Sequence, residues 1–203
     1  MKKLLLLLLA ALALSACQVP VYNGPASEQR VAVVGDSITD YSAKALDKAF
    51  TNQNRWIKGI PGIDLADGRS QLVKPAVASA PAVLVVELGI NSAREEWNST
   101  DLRHLEGILA DTDSLPCVIW VTPTALEPSY YDHLGTGTIQ SRIEKFQASL
   151  AKRLPANGNV RVADFGSIQL QHPEWFQDDR MHPNAAGQKA YAEYVLEQVE
   201  QGC

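Results

Sequence analysis

The sequence is poor in clustered positive charge, in cysteine and in long apolar runs. It has 18 basic residues, 16 once Lys2 and Lys3 are set aside, against 23 acidic ones, which leaves a net charge of −7 and no basic cluster. Because surfaces that bind nucleic acid are basic, nucleic acid is not an expected partner. Beyond residue 14, no stretch is apolar enough to cross a bilayer as a helix.

Metal-ligand spacings are also lacking. Neither His133 nor His172 has a second histidine or a cysteine at a spacing typical of a metal site. Both are interpreted as solvated loop histidines, and no metal site is predicted.

The three cysteines differ in position. Cys17 follows the amino-terminal apolar run, Cys117 lies inside a later apolar run, and Cys203 is the last residue. A disulfide between Cys117 and Cys203 can form in an oxidising compartment. A buried thiol and a free terminal thiol are nevertheless the preferred expectation.

The amino terminus has the pattern of an export signal. Lys2 and Lys3 precede an apolar run from Leu4 to Leu14, which is too short for a transmembrane helix and is typical of a signal peptide over residues 1–16. The run ends in Leu14-Ser15-Ala16-Cys17, which resembles the lipobox of bacterial lipoproteins. The alternative is an ordinary cleavage site with a chance cysteine.

The lipobox resemblance implies a chain anchored to the cell envelope. The mature protein would start at an acylated Cys17, and several acyl chains suffice for stable anchoring. Gln18 would then favour the outer membrane, on its periplasmic side, in a Gram-negative cell. Residues 17–29 have no apolar period and are predicted to be a lipid-anchored tether. Residues 30–203 have the length of one domain.

Apolar runs alternate with helical patterns along this domain. The runs are residues 31–34, 55–58, 82–88, 117–121 and 160–163. Five such strands separated by helices predict an α/β domain with a mainly parallel sheet that is covered on both faces.

The first apolar run leads into a serine. It ends in Gly35-Asp36-Ser37, and the glycine allows a sharp turn before the next helix. Ser37 is either a nucleophile held beyond the end of a strand or the N-cap of that helix. Gly62 and Asn91 also follow predicted strands. Because ligands of parallel sheets lie outside the carboxyl ends of the strands, these three residues are expected to line one crevice.

Four short blocks resemble those of the GDSL or SGNH hydrolase family, in order and in position relative to the strands. They are Gly35-Asp36-Ser37-Ile38-Thr39, Gly62, Gly89-Ile90-Asn91 and Asp179-Arg180-Met181-His182. The resemblance implies a flavodoxin-like, three-layer αβα fold, the hydrolysis of esters or thioesters, and no metal or organic cofactor. It also implies catalytic roles: Ser37 would be the nucleophile, His182 the base, and Asp179 the carboxylate that orients the base. Ser37, Gly62 and Asn91 would form the oxyanion hole.

The chemistry of these residue types agrees with the implied roles. Acyl transfer needs a nucleophile, a base and a group that orients the base. Asp179 and His182 are three residues apart, so they can face the same way on a turn.

Several assignments keep an alternative. Asp178 competes with Asp179 for the orienting role, and Gly59 competes with Gly62. Asn91 could instead close an Asx turn. Asp36 is interpreted as a structural hydrogen-bonding residue of the turn.

One position departs from the family pattern. Ser92 stands where the third block commonly has aspartate. The change is expected to affect loop packing and substrate choice rather than the catalytic groups.

The hypothesis that results is a serine esterase that hydrolyses short acyl esters, such as acetyl esters, on a small molecule or an envelope glycan. Lysophospholipase, lipase and thioesterase activities need the same groups and are alternatives. A lipoprotein that binds a glycan or protein without turnover is the alternative from another class. The long loop from Thr122 to Gly137 is a candidate for an acyl or sugar subsite. So are five aromatic residues beside the later strands, namely Trp97, Tyr130, Tyr131, Trp175 and Phe176.

Overall fold

A computed structural model describes residues 19–125 and 139–203, apart from the side chains of residues 95 and 96. Cys17, Tyr130, Tyr131 and His133, as well as most of the loop from Thr122 to Gly137, lie outside the described residues. Within these ranges, no helix is both long and apolar enough to pass through a membrane.

Strands and helices alternate along the domain. The strands are β1 (Arg30–Gly35), β2 (Asn54–Gly59), β3 (Val83–Glu87), β4 (Val118–Val121) and β5 (Val160–Ala163). The α-helices are α1 (Ser37–Ala49), α2 (Leu65–Gly68), α3 (Lys74–Ala78), α4 (Ile90–Glu96), α5 (Ser99–Asp111), α6 (Ile139–Ala151), α7 (Gly166–Gln169) and α8 (Ala185–Gln201). A π-helical segment (Arg69–Val73) joins α2 to α3, and a 3₁₀ turn (Pro173–Trp175) precedes α8.

The five strands form one parallel sheet in the order β2-β1-β3-β4-β5. Helices α1 and α8 pack together, whereas α4 packs against α6 and α2 against α5. Right-handed crossovers place α1, and with it α8, on one face of the sheet and α2 to α6 on the opposite face. The predicted flavodoxin-like αβα fold is confirmed. Its strand order reverses between β1 and β3, where ligands of such sheets bind.

Strand β1, which lies between β2 and β3, is covered on both faces. All four residues of Val31-Ala32-Val33-Val34 have no exposed surface. Such a run suits a strand that is covered on both faces, because both sets of alternating side chains then pack against helices. The strand therefore holds Gly35 and the turn that follows it rigidly.

The two cysteines of the domain are joined, so the expectation of free thiols is wrong. Cys117 and Cys203 form a disulfide with a Cα–Cα distance of 5.5 Å, within the usual range for such bonds. The physical reason is the course of α8, which runs back along the sheet and ends beside the residue that precedes β4. The pairing depends on where the helix ends in space, and the apolar pattern around Cys117 does not reveal that.

The predicted tether is not free along its whole length. The Tyr22 hydroxyl lies 2.7 Å from the hydroxyl of Ser79. Asn23 pairs antiparallel with Arg55, through N–H···O bonds of 2.8 and 2.9 Å. Only the residues before Tyr22 therefore remain as a potential linker to Cys17.

Candidate active site

The turn after β1 presents Ser37 at the first position of α1. Asp36, rather than Ser37, is the N-cap, because its Oδ1 accepts a hydrogen bond of 3.0 Å from the backbone N–H of Ile38. Gly35 is required for close approach, since a Cβ there would lie 2.1 Å from Thr39 Oγ1. The Ser37 hydroxyl is thus left free of the capping role that was its alternative interpretation.

His182 contacts both Ser37 and Asp179. Its Nε2 lies 2.9 Å from Ser37 Oγ, and its Nδ1 lies 2.6 Å from Asp179 Oδ2. The other carboxylate oxygen, Oδ1, accepts backbone N–H bonds from Met181 at 3.0 Å and from His182 at 2.9 Å. This is the hydrogen-bond chain that a serine nucleophile, its base and an orienting acid require.

The carboxylate beside the base is held ionised. Partial burial acts to raise the pKa of Asp179, but hydrogen bonds from His182 and Met181 outweigh it and lower that pKa below its usual value. The turn is tight, as Arg180 has a φ of +58°, an uncommon conformation for a residue with a side chain. Of the two adjacent aspartates, it is Asp179 whose carboxylate receives the bonds of His182.

Substituting the two aspartates separately tests this assignment. Asp179→Asn should lower kcat/KM by about 10²- to 10⁴-fold, because an amide neither stabilises the imidazolium nor selects the required tautomer. Asp178→Asn should change kcat/KM less than threefold and serves as the matched control. Steady-state hydrolysis of a soluble acetyl ester measures both variants, and the reverse ranking would move the orienting role to Asp178.

Asn91 joins the turns that follow β1 and β2. Its Nδ2 donates to Asp36 Oδ2 and to the carbonyl of Ile63, both at 3.1 Å. Both partners are distant in sequence, so the amide nitrogen of Asn91 ties together two segments that are separate along the chain.

The two glycines near β2 differ in what requires them. Gly62 has a φ of +75° and open space where a Cβ would stand, so the turn demands glycine and leaves the backbone accessible. A Cβ on Gly59 would lie 2.3 Å from the backbone nitrogen of Asp40. Gly59 therefore serves the packing of β2 against α1, and Gly62 is the one whose main chain faces open space.

The departure at Ser92 has a structural role. Its hydroxyl accepts a 3.1 Å hydrogen bond from the backbone N–H of Leu65 at the start of α2. Ser92 thus fixes the segment that follows Gly62.

A buried carboxyl pair lies beneath the nucleophile turn and was missed at the level of sequence. Glu87 has no exposed surface, and its Oε2 accepts bonds from Asp36 N at 3.2 Å, Thr39 N at 3.3 Å and Thr39 Oγ1 at 2.9 Å. The Thr39 hydroxyl also lies 3.2 Å from that of Tyr191 in α8. A glutamate at the end of a wholly apolar strand was the available signal.

Burial raises the pKa of both carboxyl groups of the pair. Burial, and then the negative charge of Asp36, raises the pKa of Glu87 well above its usual value. Burial also raises the pKa of Asp36, to about 6, although hydrogen bonds from Ile38 and Glu87 oppose the shift. Burial therefore places beneath Ser37 two carboxyl groups whose pKa values both lie above their usual range.

The raised pKa of Asp36 predicts a pH dependence of stability. The pKa of Asp36 is 3.8 in the unfolded chain and about 6 in the folded one. At pH values between these two, the folded state binds more protons than the unfolded state, so the stability that this group contributes is lost as pH rises. The free energy of unfolding of the wild type, relative to that of Asp36→Asn, should fall by on the order of 2 kcal/mol between pH 4 and pH 7. Urea denaturation at both pH values measures it, and a pH-independent difference would contradict it.

Tyr41 is an aromatic residue that borders His182. Its ring lies 4.8 Å from that of His182 and is 42% exposed. The residue was not among the sequence candidates, although its position four residues after Ser37 on one helix places the two on the same face.

Three of the aromatic candidates from the sequence lie in the described residues, and each packs against other side chains. Trp97 lies edge-on to Phe146 at 5.2 Å, and Trp175 stacks on His172 at 3.9 Å. Phe176 is buried. His172 is therefore held against a tryptophan rather than in a ligand set.

A polar cleft of about 240 Å³ adjoins Gly62 and Asn91. Its remaining walls carry hydroxyl, amide and charged side chains, namely Asp64, Ser92, Arg94, Asn98 and Asp101. Such a surface suits a hydroxylated ligand better than a long acyl chain. In the described ranges, no three His, Cys, Asp or Glu side chains are grouped to hold a metal ion.

A parallel αβα sheet with a serine, a histidine and an aspartate at its carboxyl end defines a hydrolase with a serine-centred site. Residues 33–190 match the model of the GDSL-like lipase/acylhydrolase family. The chain belongs to this family of carboxylic ester hydrolases. Residues 1–18 match the prokaryotic membrane lipoprotein lipid attachment site, which identifies a lipid-anchored protein of the cell envelope.

Individual relatives are similar over most of this chain. An acetylxylan esterase of Xylanibacter ruminicola is 24% identical over 84% of the chain, which spans 43% of that protein. The structure of an acetylxylan esterase from Geobacillus stearothermophilus has a TM-score of 0.63 and 18% identity, covering 83% of this chain and 93% of the other. An α/β hydrolase from the metagenome of Lake Arreo has a TM-score of 0.63 and 20% identity, with coverages of 83% and 94%. The chain thus spans less than half the length of the first of these relatives.

Proposed function

We propose that the protein is a serine esterase of the cell envelope that removes short acyl groups, acetyl above all, from a glycan. The observation that carries the proposal is the continuous contact from Ser37 through His182 to Asp179 at the carboxyl end of the sheet. A binding protein without turnover has no need of this hydrogen-bond chain.

The geometry supports a two-step acyl transfer. His182 Nε2 takes the proton of Ser37 Oγ as the oxygen bonds to the ester carbonyl carbon, and the oxyanion is stabilised by N–H groups of Ser37, Gly62 and Asn91. His182 then gives this proton to the departing alcohol oxygen as the ester bond breaks. Water, deprotonated by His182, attacks the acyl-serine, and the acid and free Ser37 are released.

The substrate class rests on the surroundings of this site. The cleft beside Gly62 and Asn91 is lined by polar groups, so additional methylenes of a long acyl chain would not gain the usual stabilisation of about 0.8 kcal/mol each. Two of the relatives are named as acetylxylan esterases. For the esterase from Geobacillus stearothermophilus, the catalytic variants whose structures are solved replace a serine, an aspartate and a histidine. An acetylated glycan is therefore favoured over a lipid.

The cellular location follows from the attachment site and from Gln18. Acylation at Cys17 would hold the enzyme on the periplasmic side of the outer membrane in a Gram-negative cell. Envelope or extracellular glycans are within reach of that position.

A panel of esters with one alcohol and different acyl groups tests the proposal. Acetyl esters should be hydrolysed with a kcat/KM at least tenfold higher than that of octanoyl esters, and acetylated xylo-oligosaccharides should be deacetylated. Long-chain esters, lysophospholipids and acyl thioesters complete the panel. Faster hydrolysis of any of these would replace the proposal by the lipase, lysophospholipase or thioesterase alternative.

A further inference from the structure

The segment before β1 is attached to the domain by specific contacts. Besides the bond between Tyr22 and Ser79, the guanidinium of Arg30 lies 5.6 Å from the centre of the Tyr22 ring. Arg55 Nη1 donates to the carbonyl of Asn23 at 3.3 Å. Gly24 has a φ of +128°, and a Cβ there would lie 2.1 Å from the carbonyl oxygen of Gln53. The fit depends on this glycine and fixes the direction in which the chain leaves the domain.

These contacts lie at the amino end of the sheet. Arg30 begins β1, Arg55 is the second residue of β2, and Ser79 lies in the loop before β3. Ser37, by contrast, follows the carboxyl end of β1. A parallel strand of six residues rises about 17 Å over its five steps, so the attachment and the nucleophile lie at opposite ends of the sheet.

The residues just before this attachment expose apolar side chains. Val19 is 78% exposed and Val21 is 70% exposed. Val19 follows the lipid attachment residue, Cys17, by two positions, so their Cα atoms are at most about 7 Å apart. Two uncovered valines beside acyl chains that enter a bilayer are placed to contact that bilayer.

We propose that the amino end of the sheet is the membrane-facing surface and that its partner is the bilayer holding the protein's own acyl chains. From Cys17 to Tyr22 the chain reaches at most about 18 Å, hardly more than the length of β1. While Tyr22 and Asn23 stay docked, the domain cannot turn its crevice to the bilayer. Ser37 and the polar cleft then open away from the membrane, where glycan esters are within reach and lipids of the same bilayer are not.

Hydroxyl-radical footprinting of the full, acylated protein on vesicles of phosphatidylethanolamine and phosphatidylglycerol tests the orientation without depending on activity. Oxidation of Val19 and Val21 should slow at least threefold relative to detergent solution. Leu154 lies in the loop before β5, at the same end of the sheet, and is 36% exposed. Its oxidation should slow at least twofold. Tyr41, beside His182, should be unchanged.

Two variants serve as controls. Tyr22→Ala combined with Asn23→Pro removes the tyrosine ring, its hydroxyl and the N–H that bonds Arg55. On vesicles, the oxidation rate of Leu154 in this variant should therefore rise to the rate measured in detergent. A form that begins at Gln18, and so lacks both the signal peptide and the acylated Cys17, should show no effect of vesicles at any position. Equal protection of Tyr41 and Leu154, no protection of Leu154, or protection that survives undocking would each overturn the proposal.

Discussion

Replacing Ser37 by alanine is expected to lower kcat/KM for a soluble acetyl ester by about 10⁴- to 10⁶-fold. The substitution removes the hydroxyl oxygen that lies 2.9 Å from His182 Nε2 and that carries the acyl group in the proposed mechanism. What remains is the rate that substrate binding and the oxyanion donors give to attack by water. Folding should be little changed, because Ser37 is not the N-cap of α1.

The same variant decides whether the acyl group passes through Ser37. A fluorophosphonate should add one adduct to the wild type, seen by intact mass, and none to Ser37→Ala. Ser42 provides a matched control, as it lies on the same helix and its buried hydroxyl has no hydrogen-bond partner in the described part of the chain. Ser42→Ala should keep full activity and labelling. An equal adduct on Ser37→Ala would refute the nucleophile.

The position of the site could be predicted because it depends on local patterns and on one topological rule. Apolar runs locate the strands, and parallel strands bring their carboxyl ends to one edge. Ser37, Gly62 and Asn91 each follow such a run, so their convergence needed no knowledge of side-chain packing. His182 and Asp179 lie within one turn, and their mutual contact is likewise a local property.

The features that were missed depend on contacts between distant segments. Glu87 is joined to Asp36 and Thr39, but in the sequence it only ends an apolar run. Tyr41 is notable only because its ring lies beside that of His182, and Tyr22 only because its hydroxyl lies beside that of Ser79. An exposed aromatic residue or a polar linker carries no local signal of such a partner. These residues can be identified only once the sheet order and the path of the last helix are known.

Opening the disulfide is expected to have the largest effect on stability. The bond between Cys117 and Cys203 closes a loop with a sequence separation of 86. Loop-closure entropy for that length corresponds to about 4 to 5 kcal/mol at 25 °C, and measured losses are typically about 2 to 5 kcal/mol. Cys203→Ser should therefore lower the free energy of unfolding by about 2 to 4 kcal/mol. Cys203 is the better site for the substitution, because Cys117 is only 7% exposed and a serine there would bury a hydroxyl.

Urea denaturation followed by tryptophan fluorescence, with and without a reductant, measures this contribution. Reductant should shift the wild-type midpoint to that of Cys203→Ser and leave the variant unmoved. Activity of the folded variant should persist, because the bond joins α8 to the amino end of β4, whereas Ser37 lies beyond the carboxyl end of β1. A wild-type midpoint insensitive to reductant would contradict the stabilising role. Such a bond persists outside the reducing cytoplasm. The lipid attachment site directs the chain to the cell envelope, so the expected stabilisation depends on the compartment in which the domain lies.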